Sequence, residues 1–190
     1  RRGCPVSAPS TGPQCPAAAG DLEILTAQLG RPVRDVVGVP ARCVCGAPTG
    51  VSTKPRLADG TPFPTFYSLT HPAATAAASR LEAVGRMAQL QADLADDADL
   101  AAAYGAAHQA FLADRAVHGS PEEIAGVSAG GMPTRVKCLH ALVGHALAAG
   151  PGVNPIGDVA LQECGWSPSV CECAPAERGD RVVEPGATPA

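Results

Sequence analysis

The sequence predicts an α+β fold, with a small three-stranded antiparallel sheet followed by four to five helices packed on one face of it. Three observations predict this. β-branched runs separated by turn residues fill the chain before Thr70, and apolar stripes at helical spacing fill it after His71. Aromatic residues make up only 3% of the chain, so Ala, Leu and Val must pack the helices closely. Strands first and helices after is the order of an α+β domain, not of alternating βαβ units. At 190 residues the chain can bury one core and is short for two.

The elements follow in order. Residues 1–19 are rich in Pro, Gly, Ser and Ala and read as a disordered tail. They hold two arginines but no apolar stretch of a signal peptide. A short helix starts at Asp21 and stops at Gly30, a residue suited to the left-handed C-cap. RDVVGVPARCVCG reads as a first strand and VSTKPRL as a second, with Pro55 marking an edge or a bend. After the Asp59-Gly60 turn, PTFYSLT reads as a third. Thr70 is a candidate N-cap with Pro72 in the first turn, and Ala77, Leu81 and Val84 start a stripe that Met87, Leu90 and Leu94 continue past Gly85. Residues 97–118 form the next helix, with Leu100, Tyr104, Ala107, Phe111 and Arg115 at helical spacing. Two more follow near 133–149 and 155–164, the latter capped by Asn154. Residues 165–190 read as a second loose tail, which leaves 20–164 as a single globular domain.

Charge excludes some functions. A net charge of −4 gives no electrostatic case for nucleic acid or an anionic membrane surface. No apolar run reaches the length of a transmembrane helix. There are eight cysteines, but Cys4, Cys15, Cys164, Cys171 and Cys173 fall in or beside the tails, so a disulfide scaffold is not indicated and the expected location is cytoplasmic.

Several strings look familiar. QLGRPVRDVVGVPARC, PRLADGTPFPTFYSLTHP, SRLEAVGRM, AAAYGAAHQAFLADR and SAGGMPTRVKCLHALVGHALAAGPGVNPIGD occur in this order over roughly residues 22–162. Together they resemble an uncharacterised actinobacterial family, domain of unknown function 501. The resemblance implies no activity, cofactor or catalytic residue.

Two constellations carry possible chemistry. Cys43 and Cys45 alternate along an extended segment, so both thiols point to one side. With His71 and Cys138 they could supply the four N or S donors of a tetrahedral zinc site. The simpler account of the same residues is buried thiols packed as small hydrophobes and a surface histidine. The second constellation is the turn Ser128-Ala129-Gly130-Gly131-Met132-Pro133, read as a helix entry. Arg135 and Lys137 then stand at the positive end of a helix dipole, a local conflict that a phosphate or carboxylate over Gly130 and Gly131 would relieve. Arg56 could join such a pocket, and His140 or His145 could serve as acid or base. Helix entry with solvated basic residues is the bland account. His108 reads as a packed histidine, and Ser128 as a turn residue outside any nucleophile elbow.

Two functions follow from different classes. One is a non-catalytic interaction module that binds a protein partner and is stabilised by zinc. The alternative is a small-molecule enzyme or binding protein acting on a phosphorylated or anionic ligand.

Overall fold

The computed structural model describes residues 15–175. In it, α1 (Asp21–Leu29) precedes the strands β1 (Val36–Gly38), β2 (Gly50–Thr53) and β3 (Tyr67–Leu69). Then come α2 (Pro72–Ala83), α3 (Arg86–Asp96), α4 (Ala98–Ala116), α5 (Leu139–Ala149) and α6 (Pro155–Glu163). The sheet is antiparallel in the order β1-β2-β3, so the α+β expectation holds, with five helices after the strands.

Strand register sorts the two faces. Val51 pairs with Ser68 and Ser52 with Tyr67, so Tyr67 and Leu69 share one face while Val51 and Ser68 share the other. Tyr67 stacks on His145 of α5, with ring centroids 5.6 Å apart, and meets Phe111 of α4 edge-on at 5.5 Å. This face carries the main core, in which Phe66, Tyr104, Leu139, Leu142 and Ile156 are buried. The other face is not bare: Val51 packs with Val39 and with Leu25 of α1. The helices therefore do not all lie on one face, because α1 buries its single core leucine against the back of the sheet.

The scarcity of rings is met by close backbone approach. Ala74, Ala77 and Ala78 form the buried stripe of α2. At Gly157 of α6, a Cβ would run into the Leu142 carbonyl and lie 2.9 Å from the Ala146 Cβ of α5. Gly157→Ala is expected to force these helices apart and cost about 1–3 kcal/mol. That is a fall in the thermal midpoint of roughly 2–12 °C for a domain of this size. An unchanged midpoint in a thermal unfolding scan would show that the helix pair can shift freely.

Caps set the boundaries. The left-handed Gly85 (φ 80°) separates α2 from α3, the Asp97 carboxylate accepts the Asp99 and Leu100 N–H groups at the start of α4, and Asn154 caps α6 through Gly157 N at 2.9 Å. The N-cap of α2 is His71, not Thr70. Helix α5 begins at Leu139, well after Pro133; residues 131–134 are turn and 135–138 are irregular. Gln91 holds that stretch out of helix by accepting the Val136 N–H at 2.9 Å. Buried Arg115 closes the loop after α4 by donating to the carbonyls of Pro64, Ile124 and Val127.

The packed body also continues beyond residue 164. Trp166 is 3% exposed and tilts against His71 with centroids 5.1 Å apart, and Cys173 is 4% exposed. At the other end, Cys15 is buried and its carbonyl accepts the Val39 N–H at 2.9 Å. The boundaries read at 19 and 164 thus fall short of packed structure, because isolated apolar anchors without periodicity leave no stripe to detect. The remainder of both tails, Cys4 included, lies outside the described residues. Among the described residues, no helix is long and apolar enough to cross a membrane.

Candidate metal centre

The loop 42–48 is a tight hairpin. Arg42 and Pro48 form a bridge, Cys43 N donates to Ala47 O at 2.8 Å, and Gly46 N donates back to Cys43 O at 2.8 Å. Arg42 fastens this hairpin to α1 through an ion pair with the buried Asp21 carboxylate, and also donates to Gly46 O at 2.9 Å. The C-terminal segment lies against the hairpin, with Val44 N donating to Pro168 O at 2.8 Å. Two CxC pairs therefore meet: the thiols of Cys43, Cys45, Cys171 and Cys173 all lie within 4.8 Å of one another. A tetrahedral zinc with S–Zn bonds of about 2.3 Å puts its sulfurs about 3.8 Å apart, so this cluster is the right size to hold a metal ion.

Burial and backbone hydrogen bonding act differently on the thiols. Burial pushes the Cys43 and Cys173 thiols up, while the Cys173 backbone N–H pulls the Cys171 thiol down. Two thiols held against ionisation in contact with one drawn toward it make a mixed set that a divalent cation would turn into four thiolates. Cys43 and Cys173 are buried and Cys45 and Cys171 half-buried, so protein closes most of the site.

His71 stands beside this cluster in a different role from the one expected. Its Nδ1 accepts the Ala74 N–H as the cap of α2, at 3.4 Å. In the neutral ring the proton is then on Nε2, which lies 3.1 Å from Cys173 Sγ and donates to it. A histidine N–H aimed at a ligand sulfur orients and stabilises a thiolate without being a ligand itself. Cys138 is not part of the cluster either; its sulfur groups with Glu82 and His140. Of the four expected ligands, Cys43 and Cys45 converge, His71 abuts them from outside, and Cys138 lies elsewhere. The sequence does contain the missing signal: CxC at 171–173 repeats the spacing at 43–45.

The turn expected to hold an anion is engaged by its own backbone. Gly130 and Gly131 do adopt left-handed conformations, φ 70° and 96°, but their carbonyls accept the Lys137 and Arg135 N–H groups at 2.7 and 2.9 Å. The turn folds back on its own backbone ahead of α5. Arg135 and Lys137, both exposed, precede the first helical residue, so the conflict with the helix dipole does not arise. The start of α5 has an anion of the protein's own instead, since Glu82 Oε1 accepts Leu139 N at 2.6 Å. Arg56 pairs with Glu123 at 2.7 Å and also donates to Gly60 O.

The two candidate acid–base histidines differ. His145 is fully buried among Tyr67, Phe111 and Asn154, and burial lowers its pKa to about 4. That is a neutral core histidine. His140 is half-buried, with Nδ1 3.1 Å from Glu82 Oε1 and Nε2 3.0 Å from Ser79 Oγ. The carboxylate partner of His140 sits on α2, and nothing local in the sequence connects it to α5. His108 is buried and bonds Ser128 Oγ at 2.8 Å, the structural roles expected of both.

No curated protein and no solved structure matches this chain. One family model does, over residues 39–162, a span that contains the first CxC pair, Glu82, Cys138 and His140 but ends before Cys171. That match covers well over half of the sequence, and the chain belongs to the family described as protein of unknown function, DUF501.

Proposed function

We propose that this protein is a non-catalytic interaction module of the cytoplasm, stapled by one zinc ion held by Cys43, Cys45, Cys171 and Cys173, that docks a protein partner. The observation that carries the reading is the four-thiol cluster, which joins two segments far apart in the chain. Four sulfur donors leave no open position on zinc, which is the pattern of structural centres. Of the histidines considered for acid–base work, His145 is sealed in the core.

The docking surface in this reading is the back of the sheet. A cleft of about 130 Å³ lies there beside α1, with Leu29, Val33, Leu57 and Phe63 in its wall and the exposed Arg31 and Arg34 lining it. An apolar floor with two guanidinium groups fits a segment that inserts one apolar side chain between carboxylates.

Metal analysis of protein purified without added metal should give about one zinc per chain, lost in Cys173→Ser. Peptides selected from a random display library on the whole protein should be acidic around an apolar residue, and should lose binding to the Arg31→Glu/Arg34→Glu variant. Metal-free protein would end the zinc reading. Selected peptides that lack acidic residues, or that bind the charge-reversed variant equally, would end the docking reading.

A further inference from the structure

We propose that Glu82, Cys138 and His140 form a second metal site, open to solvent, for an exchangeable divalent cation of the zinc class. It shares no residue with the four-cysteine centre and does not depend on it. The three donor atoms lie within 4.8 Å of one another. His140 Nδ1 and Glu82 Oε1 are 3.1 Å apart, close to the separation of about 3.3 Å between two ligands bound at about 2.0–2.1 Å on one tetrahedral ion.

His140 is held on both sides of its ring. Its Nε2 lies 3.2 Å from the Thr75 carbonyl and 3.0 Å from Ser79 Oγ, and its Nδ1 faces the Glu82 carboxylate. The Cys138 sulfur completes a group of three unlike donors, each offering one ligand atom to the same space. With a cation on Nδ1, Nε2 carries the ring proton and donates to the Thr75 carbonyl. The backbone carbonyl behind Nε2 is then the usual outer partner of a metal-bound imidazole, fixing tautomer and ring orientation.

The framework holds the donors in place. Glu82 sits in the last turn of α2, Cys138 is the N-cap of α5 and His140 lies in its first turn. The Leu139 N–H anchors the carboxylate oxygen. The His140 and Glu82 side chains are 27% and 24% exposed, which leaves one side for a water ligand, the three-donor pattern of open zinc sites. The mixed S, N and O donors select zinc or cobalt over magnesium or calcium, which require oxygen ligands.

The test uses the full chain. Protein holding its first equivalent of zinc is titrated with cobalt(II), followed by absorption and by equilibrium dialysis. The wild type should take up one further equivalent, with a sulfur-to-cobalt charge-transfer band. Cys138→Ser should abolish that band, and His140→Asn should weaken the second uptake at least tenfold; both should leave the zinc already bound in place. Circular dichroism of each variant verifies the fold. Wild-type protein that takes up no further cobalt overturns the proposal and leaves Glu82 and His140 as a hydrogen-bonded pair. A second uptake that persists in both variants overturns it equally, because the ion then sits elsewhere.

Discussion

Stripping the zinc proposed for the four-cysteine site with a strong chelator should lower the thermal midpoint by roughly 8–16 °C and shift the emission of Trp166 to the red, while most helical circular dichroism survives below the new midpoint. The size follows from linkage. A ligand present at a thousandfold its dissociation constant stabilises the native state by about 4 kcal/mol, and each kcal/mol is worth about 2–4 °C in a domain of 150–250 residues. Survival of the helices follows from the architecture. Unlike a zinc finger, this chain has a core of its own, built on Phe66, Tyr67, Tyr104 and Phe111, none of which touches the cysteines. Release of the proposed metal should therefore loosen the C-terminal segment before it unfolds the body.

Trp166 makes the measurement specific. It is the one tryptophan of the sequence, and it lies between the end of α6 and Cys171, buried against His71. Its emission thus reports the segment that the cluster holds. Cys171→Ser and Cys173→Ser should reproduce the chelator's shift in the absence of any chelator. His71→Ala should give a smaller version, since it removes the donor to Cys173 Sγ and the cap of α2 but no metal ligand. If chelation moves neither the midpoint nor the emission, the four thiols are a packed cluster and no staple.

What the sequence made legible is the part governed by local rules. Periodicity separates the strands from the helices, and Asp97 and Asn154 mark boundaries by residue type alone, whereas the stripe that runs past Gly85 hides the break between α2 and α3 there. The start of α5 resisted that reasoning because its cause is not local. Gly130, Gly131 and Pro133 are an ordinary helix-entry signature, yet Gln91 of α3 accepts the Val136 N–H and the residues up to Cys138 stay out of helix. The same displacement moved Arg135 and Lys137 out of the helix and removed the electrostatic argument for an anion.

The sites show a similar division. Cys43 and Cys45 were legible as a pair because two thiols on an extended segment share a side. Their partners lie beyond α6, in a stretch whose composition reads as loose tail and whose order comes from Trp166 and the cluster itself. Glu82 was invisible for a different reason. A carboxylate near the end of an alanine-rich helix looks like a solvated charge until α5 places Cys138 and His140 against it. Contacts between elements decide both sites, and no window along the chain contains them.

The acid limb of stability should carry a large contribution from one residue, His145. It is fully buried, and burial lowers its pKa to about 4 from an ordinary value of 6.5. The sign follows from which state binds the proton. In the unfolded chain the imidazole protonates as pH falls below about 6.5, whereas the folded protein keeps it neutral until about pH 4. The stabilising contribution is therefore complete above pH 6.5, declines between 6.5 and 4, and is absent below. Its size is about 3 kcal/mol, from about 1.36 kcal/mol per pKa unit. His108, lowered by burial and by Arg115, adds a smaller effect of the same sign. Urea unfolding at pH 7 and pH 4.5 measures the total. In His145→Gln the difference between the two pH values should shrink by most of that amount, even if the substitution costs some packing against Tyr67 and Phe111. Zinc release in acid acts on both proteins alike and cancels from the comparison. Equal pH dependence in wild type and variant would mean that His145 is charged in the folded protein, which its place between two rings, with the Asn154 amide N–H donating to Nδ1, argues against.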